Sequence, residues 1–205
     1  MTEKPINFTS DEVRAILDGT KVQTRRPIPL LASESWLGVM KYEEEHMDDR
    51  PVYRMCLKMA PFQPGDVAWV RETFYYQRWL GIPLTGPQPV QYAADGHEEC
   101  LEDWRKAPSI HMPRWASRIT LAITDVRVQR VQDTSEDDCL AEGIYPIAHG
   151  KEGYYYAIKD GPPSHTDYCF PSDALRALWN SIYSNRYPWD GNPWCWCYTF
   201  RRVTP

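Results

Sequence analysis

The sequence predicts a mixed α+β fold: a curved β pseudobarrel with short flanking helices and long loop insertions. Three observations predict it. Short amphipathic segments carry explicit helix caps, strand-like runs alternate apolar and polar residues, and the longest run, Ser117 to Val131, changes its apolar parity part-way. Apolar residues sit at Ile119, Leu121 and Ile123 and then at Val126 and Val128, so a bulge is expected near Thr124-Asp125, of the kind a sheet needs to curl. With 205 residues, 42% of them apolar and 25% charged, the chain can bury a core and is expected to form a single domain over 1–205.

In chain order, Ile6 and Phe8 lead into Thr9-Ser10-Asp11-Glu12, a T-x-x-E capping box in which hydroxyl and carboxylate each satisfy a free backbone donor. Phe8 and Val13 form a hydrophobic staple, Val13, Ile16 and Leu17 form one stripe, and Gly19 suits the left-handed residue that ends a helix. The segment Lys21 to Arg26 therefore leaves a helix C-terminus and stops before Pro27 and Pro29. Residues 30–60, with an acidic cluster at Glu43 to Glu45, read as a first insertion. Pro64-Gly65-Asp66 makes a turn into a central strand, Val67 to Tyr75, which carries Arg71 on one face and Glu72 on the other. Glu72 is expected to pair with an arginine across the sheet.

A second insertion covers 80–105, around a short strand from Val90 to Ala93. After the long strand, a helix runs from Thr134 or Ser135 to Glu142 and is closed by Gly143. A third insertion covers 145–171. Ser172 then caps a helix with Leu175, Leu178, Trp179 and Ile182 at helical spacing, and the closing strand, Trp194 to Val203, puts Trp194, Trp196, Tyr198 and Phe200 on one face.

Composition excludes several classes. No stretch approaches the ~20 apolar residues of a membrane helix, and Met1 to Pro5 lacks the basic-then-apolar start of a signal peptide. A cytoplasmic location, reduced cysteines and no membrane partner are expected. Cys195-x-Cys197 places two thiols on one face of a strand; the simpler reading is two small core residues, so neither a metal nor an organic cofactor is expected. The net charge of −5 hides an uneven distribution. Six bases (Arg105, Lys106, Arg114, Arg118, Arg127, Arg130) face only Asp125 across that stretch, and Lys21, Arg25 and Arg26 add three more. These are solvated strand faces or an anion-attracting field. The neighbouring Trp104 and Trp115 tilt the choice toward a nucleotide or nucleic acid.

The ordered set of segments carries a resemblance. Gly19-Thr20-Lys21-Val22-Gln23-Thr24-Arg25-Arg26 follows a first helix. The Pro64-Gly65-Asp66 turn precedes Trp69-Val70-Arg71-Glu72, and the long strand follows Pro108-Ser109-Ile110-His111-Met112-Pro113-Arg114-Trp115. Ala141-Glu142-Gly143 and Asn192-Pro193-Trp194 complete the set. Together, over about Lys4 to Val203, they resemble the ASCH domain family, a branch of the PUA-like pseudobarrels associated with RNA, and more closely its long bacteriophage and prophage versions. A small bacterial member removes acetyl from N4-acetylcytidine with a lysine, a threonine three residues later and a glutamate further along. The resemblance maps these onto Lys21, Thr24 and Glu142 as catalytic residues. Another member is linked to cleavage of single-stranded RNA, and others are presumed RNA binders. The implied partner is thus a nucleoside or single-stranded RNA, and Arg25, Arg26, Arg71, Glu72, His111, Arg114 and Trp115 are candidate contacts to it.

The residues themselves leave two readings open. Thr24 offers a hydroxyl nucleophile if Lys21 serves as base, which requires burial or repulsion from Arg25 and Arg26 to release its proton. The segment must also turn, because residues three apart do not share a strand face. Otherwise Lys21 complements the negative end of the first helix while Thr24 pairs in a sheet. Glu142, in the last turn of a helix, faces that helix's negative end, so its protonated form is expected to be favoured. The leading expectation is an amidohydrolase acting on an acylated cytidine-type base. The alternatives are a non-catalytic RNA-binding module, with Lys21, Arg25, Arg26 and Arg114 on phosphates and Trp115 on a base, and a ribonuclease.

Overall fold

The computed structural model describes residues 3–29, 51–77, 87–96, 103–148, 154–158 and 168–203. The acidic cluster at Glu43 to Glu45 and most of the three expected insertions lie outside the described residues. What is described within those insertions includes regular structure: helix α2 (Pro51–Met59), strand β5 (Val90–Tyr92), and a hairpin of β8 (Ile144–Ala148) and β9 (Tyr154–Ile158). The hairpin corrects the reading of 145–171 as loop. Pro146 disguises β8 as a turn; as one of only two strands in its sheet, β8 has an edge where a missing N–H is tolerated.

The main sheet has five strands in the order β1 (Glu3–Asn7), β3 (Val67–Arg71), β7 (Thr120–Arg130), β10 (Trp194–Val203) and β2 (Gln23–Pro27). Strands β1 and β3 are parallel; the other pairs are antiparallel. The sheet is open rather than a closed barrel, because β1 and β2 are its two edges. It curls enough for a side chain to span the gap: the Arg26 guanidinium on β2 donates to the Asn7 carbonyl on β1 at 2.6 Å. The curl has the cause read from the sequence. Thr199 faces Asp125 while Phe200 faces Ile123, so Thr124 is the extra residue of a bulge, and its hydroxyl donates to the Thr199 carbonyl at 3.1 Å.

The local signals are met at both ends of helix α1 (Ser10–Leu17). Thr9 Oγ1 accepts from Glu12 N at 3.3 Å, the Glu12 carboxylate accepts from Thr9 N at 2.9 Å, and Gly19 has φ +79°. Ser135 caps α3 (Glu136–Ala141), whose C-cap is Glu142. Ser172 is not the cap of α4 (Pro171–Tyr183). Phe170 holds that position, with Pro171 starting the helix in a φ already suited to it.

The strand expected over Val67 to Tyr75 is two. It breaks at Glu72-Thr73, and β4 (Phe74–Gln77) joins a second sheet, β5-β4-β6, with β6 at Trp104–Ala107. Charge drives the break. Glu72 is buried and turned to Arg118, which binds it through two nitrogens at 2.9 and 3.0 Å, as the cross-sheet expectation required. The Thr73 carbonyl accepts from Ala93 N instead of from a main-sheet neighbour.

Strand β10 is buried on both faces, which is why it reads as an almost unbroken apolar run. Trp194, Trp196, Tyr198 and Phe200 enter a core shared with Phe8, Val13 and Ile16 of the α1 region; Cys195 enters a second core with Trp179 and Leu175 of α4. The strand thus ties α1 to α4. No helix among the described residues is long and apolar enough to cross a membrane.

Candidate active site

Lys21 and Thr24 lie in different elements because the chain changes partners between them. After α1, Lys21 N donates to the Ala15 carbonyl and Lys21 forms an isolated antiparallel bridge with Glu142. Val22 N then donates to the Ala141 carbonyl at 2.8 Å, while the Val22 carbonyl accepts from Phe200 N at 2.9 Å. One residue later the chain is in β2, where Thr24 lies opposite Tyr198. Lys21 therefore belongs to the end of α3 and Thr24 to the sheet, a step apart.

Gly143 makes this possible. Its φ is +95°, and a Cβ there would stand 3.1 Å from Ala15 Cβ and 3.2 Å from Lys21 Cβ. Gly143→Ala is expected to cost about 1–3 kcal/mol from left-handed strain and crowding, read as a lower urea midpoint with an unchanged m-value. A midpoint equal to wild type would show that the bridge tolerates a side chain.

The cluster itself is buried. Lys21 is 1% exposed, Thr24 1%, Arg25 3% and Glu142 5%. Lys21 Nζ lies 2.6 Å from Glu142 Oε2, 2.9 Å from the Glu142 carbonyl oxygen and 3.6 Å from Glu12 Oε1. Arg25 donates to Glu142 Oε1 at 2.7 Å and to Asp138 at 3.0 Å, and Arg127 donates to the other Asp138 oxygen at 3.0 Å. Arg25 and Arg127 are thus aimed at carboxylates, while Arg26 donates to the Tyr183 hydroxyl and the Asn7 carbonyl.

Glu142 is corrected as well. Burial alone would raise its pKa, but the Lys21 ammonium and the Arg25 guanidinium more than offset this and hold it below the ordinary carboxylate range. It is an ionised acceptor, not a proton donor at neutral pH. The helix-end argument failed because two direct cations outweigh a partial charge. The two thiols nearby stay protonated; burial pushes Cys197 up to about 11 and raises Cys195 too. Among the described residues no group of three or more His, Cys, Asp or Glu side chains is placed to hold a metal.

Thr24, Arg25, Glu142, Glu12 and Arg26 face a cavity of about 20 Å³, roofed by α4 through Leu175, Leu178, Trp179, Ile182 and Tyr183. At about 10–15 Å³ per water it has room for one or two small atoms and not for a pyrimidine. The implied base-sized hollow lies beside the cluster instead. A cleft of about 610 Å³ opens between the sheet edges, with Ile6, Asn7 and Phe8 on one side, Arg26 on the other, and Phe62, Trp196 and Tyr198 at its floor. Cleft and cavity share Glu12, Arg26, Ile182 and Tyr183 as a partition.

Of the seven expected contact residues, Arg25 and Arg26 reach this region. The other five line neither space. The Arg71 guanidinium lies over the Trp69 ring at 4.7 Å, Glu72 is taken by Arg118, and Arg114 pairs with Glu3 at 2.6 Å. His111 sits exposed in a short turn, and Trp115 packs on a third apolar cluster with Phe74 and Met112.

The basic stretch is likewise no open field. Arg118 is shared by Glu72 and Asp95, Arg127 is held by Asp138, and Arg130 lies over Trp194 at 4.5 Å. Glu12 and Tyr183 line both spaces without a functional signal in the sequence: Glu12 reads as a helix cap, and Tyr183 continues the apolar stripe through Trp179.

Among solved structures, the ASCH domain from Lactobacillus crispatus JV V101 aligns with 98% of this chain and 79% of its own, at 14% identity and a TM-score of 0.36. No family model matches the chain, and no curated protein does. An overlap this loose assigns neither fold nor function.

Proposed function

We propose that the protein is an amidohydrolase acting on an acylated cytidine-type base, with its reacting groups in the Lys21–Thr24–Glu142 cluster. The observation that supports this reading is that Glu142, paired with the buried Lys21 ammonium, lines one small cavity with Thr24, beside a cleft large enough for a nucleoside. The ordered motifs that resemble the ASCH domain family support the choice of substrate.

In the proposed reaction the base occupies the cleft and its acyl carbon reaches Thr24. Thr24 Oγ1 forms a bond to that carbon as its proton passes to Glu142, the member of the Lys21–Glu142 pair that faces the cavity. The carbonyl oxygen, now an oxyanion, is held by Arg26. As the C–N bond breaks, the pair returns the proton to the departing amine, leaving a threonine ester. Water then attacks the ester, gives a proton to the pair, and releases the carboxylic acid as Thr24 regains its hydrogen. Lys21 lies behind Glu142 and keeps it oriented and ionised, so the base assigned to Lys21 on sequence grounds becomes the pair.

The test is to incubate the protein with N4-acetylcytidine and, separately, with labelled single-stranded RNA. Acetate release by the wild type that disappears in Thr24→Val, which keeps the fold, supports the hydrolase. Salt-sensitive RNA retention without acetate release would replace it with a binding module, and shortened RNA would replace it with a nuclease. The binding module is disfavoured on burial: Lys21 and Arg25, two of its phosphate ligands, are enclosed and already paired.

A further inference from the structure

The cleft and the inner cavity touch the same four side chains, Glu12, Arg26, Ile182 and Tyr183. Arg26 is the fixed post of the partition. Its guanidinium donates to the Asn7 carbonyl across the sheet gap at 2.6 Å and lies 5.0 Å above the Phe8 ring. Burial works against its charge, while the Tyr183 oxygen and the Glu12 carboxylate raise it above its ordinary value, so it remains a cation. Tyr183 is held differently. It is the last residue of α4, half-buried, and is followed by the exposed turn Ser184–Arg186. Its ring leans on Trp179 with centroids 4.7 Å apart, and its hydroxyl accepts from Arg26 at 2.7 Å. A charge-assisted hydrogen bond to Arg26, the ring contact with Trp179 and packing at the margin of the second core thus hold it between the two spaces.

We propose that Tyr183, latched by its hydrogen bond with Arg26, is a gate between the open cleft and the cavity that contains Thr24 and Glu142. Rotation of the ring away from Trp179 breaks that hydrogen bond and joins the two spaces, whereas the backbone of α4 need not move. Closed, the gate shields the ion-pair cluster from water; open, it admits the acyl end of a ligand seated in the cleft. Its use in a reaction rests on the amidohydrolase reading, but its existence does not.

A thiol at position 24 tests it without any substrate. Thr24→Cys is made with Tyr183 intact, with Tyr183→Phe and with Tyr183→Ala. Each protein is treated with methyl methanethiosulfonate and the modified cysteines are located by peptide mass. Exposed Cys169 and buried Cys195 are the internal references. With Tyr183 intact, labelling at position 24 is expected to lag well behind Cys169. Losing only the hydroxyl in Tyr183→Phe is expected to speed it by about tenfold, the scale of one hydrogen bond to a charged group, and Tyr183→Ala by more.

Equal rates in the three backgrounds would overturn the gate. So would labelling at the Cys169 rate with Tyr183 intact, or an acceleration shared by Cys195, which reports general loosening. Failure of N4-acetylcytidine hydrolysis removes the proposed reaction and leaves this result standing.

Discussion

Glu142→Gln is expected to cost about 3–5 kcal/mol of stability, because it leaves two buried cations facing a neutral amide. Lys21 and Arg25 each lie within 2.7 Å of a Glu142 oxygen and are nearly sealed from solvent. Glutamine keeps the shape and one acceptor, so the loss reports charge rather than packing. Lys21→Met with Glu142→Gln removes the ammonium that made the first change costly, and the double variant is expected to recover part of the stability. A double-mutant cycle on urea midpoints measures the coupling. Strictly additive effects would mean that the two groups stabilise the fold independently despite their contact.

The same pair sets an acid limit. The folded-state pKa of Glu142 lies below its ordinary value of about 4.3, so the unfolded chain takes up that proton first. The contribution is complete above the ordinary value and is lost as pH falls through the lower, folded one. Wild type is therefore expected to lose stability below about pH 4 more steeply than Glu142→Gln, which has no carboxyl to titrate there. Parallel pH profiles would contradict an ionised Glu142.

Thr24→Val is expected to lower kcat/KM for N4-acetylcytidine by about 10³-fold or more while leaving the fold in place. Valine has nearly the volume of threonine, and Thr24 is enclosed between β10 and α4, so the change deletes the hydroxyl and little else. A stability change above about 1.5 kcal/mol would mark the hydroxyl as structural instead. Hydrolysis kept near the wild-type rate in a stable Thr24→Val protein would remove the threonine ester from the scheme and assign the attack to water activated by Glu142. The Gly143→Ala result helps read both experiments, since that variant crowds Ala15 and Lys21 without removing a polar group.

Features whose physics is local were legible in the residues. The Thr9–Glu12 capping box, the Ser135 cap, the left-handed Gly19 and Gly143, the Thr124 bulge and the whole of β10 follow from contacts within a few positions or from an alternation that a strand imposes. β1 was missed because Glu3–Asn7 buries only Ile6 and takes its strand form from a parallel partner more than sixty residues away. The break after Arg71 was missed for a similar reason, since Glu72 turns toward an arginine forty-six positions along the chain.

The candidate site divides along the same line. Lys21, Thr24 and Glu142 were named only through the motifs that resemble the ASCH domain family. Their ionisation, their roof and their access depended on groups at long range: Arg25 and Lys21 reaching Glu142 from the opposite half of the chain, α4 closing over the cavity, and Tyr183 meeting Arg26. Charge in a buried place is decided by whichever groups surround it in space, and no local pattern records them.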